Sequence, residues 1–313
     1  MKTAEKLDHI IREEYKNING MLVVQKGNVI FEKYYNGHGP DDAFHVASVT
    51  KTIISALIGI CVEKGYIKSV DQKVIEFFPE YNLKISKVTV RNLLTMTAPY
   101  PYADWQEPLE ELCIQEDWVQ YTLGGIGKGG EIGHFKYSSA GAHVLSAIIT
   151  SATGKSAREF ANEHLFQPIG IREIPNYNMK AFGFDDLFGK DVKGWVHDPN
   201  GISTGGWGLT LTVKDMAKFG QLYLNEGIHN DKRILSKSWV KESTVMNPNR
   251  YGYLWWLREE DGIFSYCAMG DGGNVICCVP EKELVVVIAS EIIPEAGDRW
   301  KLIKECILPY LKD

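Results

Sequence analysis

Hydrophobic spacing divides this chain into recognisable pieces. Residues 7–15 carry apolar side chains at helical intervals, and two β-rich runs follow at 21–25 and 29–35. Between those runs, Lys26-Gly27-Asn28 has the composition of a hairpin turn. From Ser48 to about Gly65 the pattern becomes a helix apolar almost all round, through Ile53, Ile54, Ala56, Leu57, Ile58, Ile60, Cys61 and Val62. A helix without a polar face belongs inside the molecule. Gly65 ends it as a C-terminal glycine should.

The stretch from about 70 to 200 reads as mainly helical, with long loops containing Pro79, Pro99, Pro101, Pro108 and a glycine cluster at 124–130. After Trp207 come a strand, a helix over 213–225, three strand-like runs (251–257, 274–279 and 284–289) and a last helix over about 298–310. Sheet pieces at both ends with helices between them predict the α/β (α+β) class. Residues 1–70 and 205–313 would form a discontinuous α/β domain, and residues 71–204 an inserted, mainly helical domain.

Composition narrows the function. The 313 residues hold 34 basic against 40 acidic side chains, a net charge of −6, which argues against nucleic acid as a partner. The longest apolar run, 53–62, is interrupted by Ser55 and Gly59 and falls short of the roughly 20 residues of a membrane span. Glu5, Asp8, Glu13 and Glu14 occupy the place of a leader's apolar core, so the chain reads as leaderless and cytoplasmic. Six cysteines lack metal-finger spacing and read as buried free thiols. His38 and His45 stand alone in polar surroundings, and no HExxH is present. The expectation is neither metal nor cofactor.

Three short motifs compete. Gly125-Ile126-Gly127-Lys128-Gly129-Gly130 satisfies GxGxxG but lacks the flanking strand and helix of a dinucleotide site, so it reads as a mobile loop. Gly201-Ile202-Ser203-Thr204-Gly205 satisfies GxSxG, yet turn and strand follow it where a nucleophile elbow needs a helix. The third is Ser48-Val49-Thr50-Lys51, an SxxK. With 15 serines and 26 lysines, about one such match is expected by chance, and Ser238-Trp239-Val240-Lys241 is another. Context separates them: Ser238 lies on a solvated amphipathic face, whereas Ser48 opens the most apolar helix of the chain. Lys51, one turn on, falls within reach of Ser48. Beside an apolar helix its ammonium is costly to keep charged, which would make it a proton acceptor.

The segment Phe44-His45-Val46-Ala47-Ser48-Val49-Thr50-Lys51 resembles the nucleophile segment of the serine β-lactamase and penicillin-binding-protein superfamily, in particular its class C-like branch. Residues 88–97, 206–220 and 251–256 are similar to further stretches of that family in the same order, so the resemblance covers the chain from about residue 20. It implies a β-lactamase/transpeptidase-like fold, an antiparallel sheet flanked by helices. Tyr137-Ser138-Ser139 stands in the place of the family's Tyr-x-Asn motif. The resemblance makes Tyr137 the partner of Lys51 in proton transfer, with Ser139 replacing the usual asparagine and altering substrate binding. Which of Lys51 and Tyr137 holds the proton stays open.

Asp271-Gly272-Gly273 is the best match to the family's third motif, Lys/His-x-Gly. That alignment implies an oxyanion hole from the Ser48 and Asn274 amides, with Gly272 and Gly273 letting substrate lie along the strand. Asp271 replaces a cation that attracts substrate carboxylates, which demotes β-lactams and D-Ala-D-Ala peptides. Tyr100, Tyr102, Trp105 and Trp207 line the cleft or fill the packing between domains. The expectation is a serine hydrolase that acts through an acyl-enzyme on a small-molecule ester or amide. The rival is a catalytically silent, penicillin-binding-like protein that only binds a ligand.

Overall fold

Lys26 and Gly27 both adopt positive φ (50° and 76°), the backbone that a tight hairpin requires, and the turn they make begins the central sheet. The structure, a computed structural model, describes residues 3–81 and 87–311. Strands β1 (Ile18–Gln25) and β2 (Asn28–Tyr34) form that hairpin. Two short strands, β3 (Ala43–His45) and β4 (Thr210–Thr212), pair with each other, as do β5 (Ile228–His229) and β6 (Lys232–Arg233). The late strands β7 (Trp256–Glu260), β8 (Ile263–Gly270), β9 (Asn274–Val279) and β10 (Leu284–Ser290) complete the main sheet. Its order is β2-β1-β10-β9-β8-β7, antiparallel throughout.

Strands β1, β9 and β10 are buried along their whole length because both sheet faces are covered. Their residues alternate between two cores, as a period of two dictates. Met21, Val23, Val286 and Ile288 face α1 (Thr3–Glu14) and α11 (Arg299–Cys306) through Leu7, Ile11, Leu302 and Ile303. Leu22, Val24, Val285 and Val287 belong to the larger core on the opposite face.

That larger core contains α2 (Thr50–Glu63) and α6 (Ser139–Thr153), both buried over most of their length, and one side of α9 (Val213–Leu224). Between them run α3 (Val90–Leu94), α4 (Leu109–Cys113), α5 (Trp118–Gly125), α7 (Ala157–Ala161) and α8 (Phe184–Phe188), and α10 (Lys237–Thr244) follows α9. The sheet and the helices of the middle of the chain share one continuous core, Leu22 and Val285 lying in the same cluster as Leu57, Val144 and Ile148. Among the described residues no helix is long and apolar enough to cross a membrane.

Three expectations are corrected. The run at 251–257 is strand only from Trp256. Tyr251, Tyr253 and Trp255 are instead buried anchors of the loop before it, and an apolar run in a buried loop imitates a strand. Strand β8 was missed, although Asp261-Gly262 before it adopts positive φ at both residues, the Asp-Gly hairpin signal. The glycine cluster is pinned rather than mobile. Gly127 N–H donates to Pro99 O (2.8 Å), and a Cβ on Gly129 would lie 3.0 Å from Pro101 Cα.

Candidate active site

Ser48 does not open α2. It is the middle residue of a 3-10 turn, Ala47–Val49, and α2 starts at Thr50. The turn begins with Ala47 at φ +48°, a conformation costly for a residue with a Cβ. His45 holds it there. The Ala47 N–H donates to His45 Nδ1 (3.1 Å), which leaves Nε2–H to donate to Leu187 O (3.1 Å) in α8. Thr50 Oγ1 donates to Ala47 O (2.7 Å). His45 is buried, not set in polar surroundings, and burial pulls its pKa down to about 4, so the ring is neutral at pH 7. The result is a half-buried Ser48 hydroxyl at the head of a buried helix.

Lys51 follows one helical turn later and is 1% exposed. Its Nζ lies 2.9 Å from Ser48 Oγ, 3.0 Å from Ser139 Oγ and 2.8 Å from Gly206 O. Three acceptors match the three N–H donors of an ammonium. In the neutral amine, two of those contacts still accept hydrogen bonds while the lone pair faces the Ser48 hydroxyl.

Ser139 is placed by the start of α6. Ser138 caps that helix, its Oγ accepting from Gly141 N–H (2.8 Å). The next amides are met by Glu107, whose carboxylate accepts from Ser139 N–H (2.7 Å), Ala140 N–H (2.9 Å) and Ser138 Oγ (2.7 Å). A carboxylate at a helix N-terminus is favoured by the dipole as well as by the bonds. Sequence reasoning missed Glu107. The available signal was a deficit: a helix start with glycine at the third position has no local side chain for its first amides.

Tyr137 precedes this cap, between two anchors on Met96: Lys136 N–H donates to Met96 O (2.7 Å) and Ser138 N–H to Met96 Sδ (3.2 Å). Its ring stacks with Trp105 (5.4 Å between centroids) and Trp256 (5.7 Å) and meets Tyr251 edge-on. Lys51 Nζ stands 4.8 Å from the centre of the same ring. Ser48, Lys51, Tyr137 and Ser139 therefore converge on one place.

The opposite wall is the end of β8. A Cβ on Gly270 would lie 3.1 Å from Ser48 N and 2.4 Å from Val46 O, so only glycine allows the strand to pass there. Pairing of β7 with β8 stops at Trp256 opposite Cys267, so the next three residues, Ala268-Met269-Gly270, run on past the end of β7.

These contacts overturn the third-motif alignment. Residues Asp271–Gly273 form a turn beyond the strand, with Gly272 and Gly273 at φ +75° and +83°. Gly272 packs on Glu291 O and Gly273 on the Arg299 guanidinium, both away from Ser48. Arg299, buried and with its pKa lowered to about 10 by that burial, donates to the carbonyls of Gly272 and Gly273. The Asn274 side chain braces the turn, donating to Asp271 O (2.8 Å) and accepting from Ser290 N–H (2.9 Å). The segment beside Ser48 is thus Ala268-Met269-Gly270, three residues earlier, and exposed Asp271 is the residue that follows it.

Two aromatic residues also move out of the cleft. Trp207 is buried against Trp118 and Phe188, and Tyr100 is 2% exposed beneath α6; Trp105 is open to solvent. The GxSxG serine is structural: Ser203 is buried, and its Oγ accepts from Arg158 N–H (3.2 Å). A cavity of about 740 Å³ lies behind the α6 cap, with Tyr102, Glu107, Asp117, Tyr121 and Ala140 in its wall but none of Ser48, Lys51 or Tyr137.

Comparison with known proteins gives the family and the fold. The family model described as Beta-lactamase matches residues 7–303. The chain is 24% identical to the 6-aminohexanoate-dimer hydrolase of Paenarthrobacter ureafaciens, over 93% of this chain and 76% of that protein. Among solved structures, a penicillin binding protein from Bacillus halodurans superposes with a TM-score of 0.73 at 19% identity, covering 96% of this chain and 97% of that one. A D-stereospecific amidohydrolase from Streptomyces sp. gives 0.67 at 17% identity, with 98% of each chain covered.

Proposed function

Since the chain belongs to the beta-lactamase family, a family of serine hydrolases, we propose that it cleaves an ester or amide through an acyl-enzyme on Ser48. One observation carries the assignment of roles: the amine of Lys51 lies 2.9 Å from the Ser48 hydroxyl inside a buried pocket. Neutral Lys51 takes the Ser48 proton as the oxygen attacks the carbonyl, and Ser139 Oγ with Gly206 O receive the ammonium that forms. Tyr137, whose ring lies against the same amine, gives its phenol proton to the leaving group and takes the proton from Lys51 in exchange, which restores the neutral amine. The Ser48 amide and that of Asp271, the residue following the close-packed Gly270, hold the oxyanion. Such donors typically supply about 2.7–4 kcal/mol each. Water then releases the acid.

The substrate is an amide or ester without a carboxylate near the scissile bond. Ala268 offers no cation at the first position of the strand segment, and Asp271 adds a negative charge after it. The names of the two amide-cleaving relatives favour an amide. The stack of Trp105, Tyr137 and Trp256 suits an apolar acyl or leaving group. In the same reading residues 71–204 act as the inserted domain bearing Tyr137 and Ser139, and the protein is cytoplasmic with a small molecule as its partner.

The test is covalent labelling. A fluorophosphonate probe is expected to add its mass to the intact protein and to leave Ser48→Ala unlabelled. Absence of an adduct on the unmutated protein would favour the silent ligand-binding reading instead. A panel of p-nitrophenyl esters, D-amino-acid amides and nitrocefin is expected to rank nitrocefin last.

A further inference from the structure

We infer that His143 and Asp198, a buried pair outside the cleft, are positioning residues that hold together two of the three acceptors around Lys51. The inference rests on the reading of Lys51 as the base for Ser48. His143 stands four residues after Ser139 on α6, so the two side chains leave the same face of the helix. Ser139 touches Lys51; His143 Nε2 lies 3.1 Å from Asp198 Oδ2, and neither side chain is exposed.

Asp198 begins the segment that delivers the other acceptor. Its Oδ1 accepts from Asn200 N–H (2.9 Å) and Ile202 N–H (2.8 Å), which folds the chain into a tight turn. The chain then runs back along the first turn of α6. A Cβ on Gly205 would lie 2.0 Å from Ala142 O and 2.9 Å from His143 Cα, and one on Gly206 would lie 2.8 Å from Ser139 Cβ. The glycines have no side chain to interlock with the helix, and sliding of the segment is resisted by directional bonds to either side of them, from Ser146 Oγ to Ser203 O and between His143 and Asp198. The His143–Asp198 contact supplies a directional bond within the same patch, and Gly206 O comes out 2.8 Å from Lys51 Nζ.

The surroundings favour a registering role over simple filling. His143 meets Trp118 edge-on, and Trp207 packs behind Trp118. A buried polar pair in such apolar company is costly, and well-packed hydrophobic residues would fill the volume at least as stably. What apolar residues lack is a fixed direction. Loss of the bond lets Gly206 O and Ser139 Oγ drift apart, and the amine between them loses the geometry that aims its lone pair at Ser48.

The test compares His143→Leu and the double variant His143→Leu/Asp198→Asn, both of which remove the imidazole and with it the bond, with a destabilised control, Asn162→Ala. Asn162 is a buried bridge whose side-chain hydrogen bonds go to Ile174, outside α6 and the glycine segment. Saturation kinetics of fluorophosphonate labelling are expected to show the limiting rate falling at least about tenfold in the clamp variants, with half-saturation within about threefold. The control is expected to keep the unmutated limiting rate in its folded fraction. A crystal structure of His143→Leu/Asp198→Asn is expected to show Gly206 O beyond about 3.5 Å from Lys51 Nζ. Clamp variants that label at the unmutated rate, or a control that slows equally, would overturn the inference. If the unmutated protein takes no label, the Ser48 reading fails and the crystal structure decides: an intact Lys51–Gly206 contact overturns the clamp and a broken one upholds it.

Discussion

Gly270 passes so close to Ser48 that a single added methyl group would sit 3.1 Å from the Ser48 amide nitrogen and 2.4 Å from the Val46 carbonyl. On the proposed mechanism this approach sets the distance between Ser48 and the second oxyanion donor, the Asp271 amide that follows the strand. Gly270→Ala is therefore expected to push β8 away and to lower the acylation rate by about 10²-fold or more, the scale of losing one such donor. Stopped-flow labelling of Ser48 measures it. A folded Gly270→Ala protein that acylates normally would place the oxyanion hole elsewhere.

Lys51 is expected to tolerate no cation that cannot lose its proton. Lys51→Arg keeps a positive charge in the pocket, but a guanidinium holds its proton at any working pH. Ester hydrolysis should fall by about 10³-fold or more. A fall of less than tenfold would mean that Lys51 acts by charge alone and that the proton goes to Tyr137.

Glu107 joins the Tyr137-Ser138-Ser139 turn to the loop that bears Trp105. Removing its carboxylate in Glu107→Ala leaves the Ser139 and Ala140 amides without their acceptor, at a cost of about 2 kcal/mol in urea denaturation. Activity should drop alongside, because Ser139 then loses its fixed place beside Lys51. Full activity in the folded variant would make Glu107 purely a helix cap.

His45 gives the fold a defined pH dependence. Its folded pKa, about 4, lies below the ordinary value of 6.5, because burial penalises the charged ring. Above pH 6.5 both folded and unfolded chains carry the neutral imidazole, and its contribution is fully present. As the pH falls from 6.5 to 4 the unfolded chain takes a proton that the folded one refuses, and stability drops by about 3 kcal/mol in all. Below 4 the loss levels off. In the folded protein Nδ1 takes a proton only near pH 4 and below, where it ceases to be the acceptor for Ala47 and the turn bearing Ser48 should loosen. Thermal melts between pH 7 and 4 are expected to show this slope in the unmutated protein and a shallower one in His45→Gln. Equal slopes would assign the effect to other groups.

Much of this was legible in the amino-acid sequence because local rules governed it. The 26–28 hairpin and the all-apolar helix after Ser48 follow from spacing and turn chemistry. The third wall of the site was not legible. Glycines occur at 270, 272 and 273, and only tertiary contacts distinguish the one that faces Ser48 from the two that face Glu291 and Arg299. Glu107 and Gly206 escaped for a related reason. A carboxylate that caps a helix from another segment, and a carbonyl that happens to meet an amine, leave no periodic trace. Trp207 was misplaced because an aromatic side chain looks the same in sequence whether it lines a cleft or packs against Trp118.

The acceptors that Lys51 gathers lie 88 and 155 positions away along the chain, in helices and loops that share one core with the sheet. Distant pieces of polypeptide must all have docked before Ser48 becomes reactive. Capture of a fluorescent phosphonate would then serve as a stopwatch for refolding, staying dark while early helices form and lighting only when the last long-range closure is made.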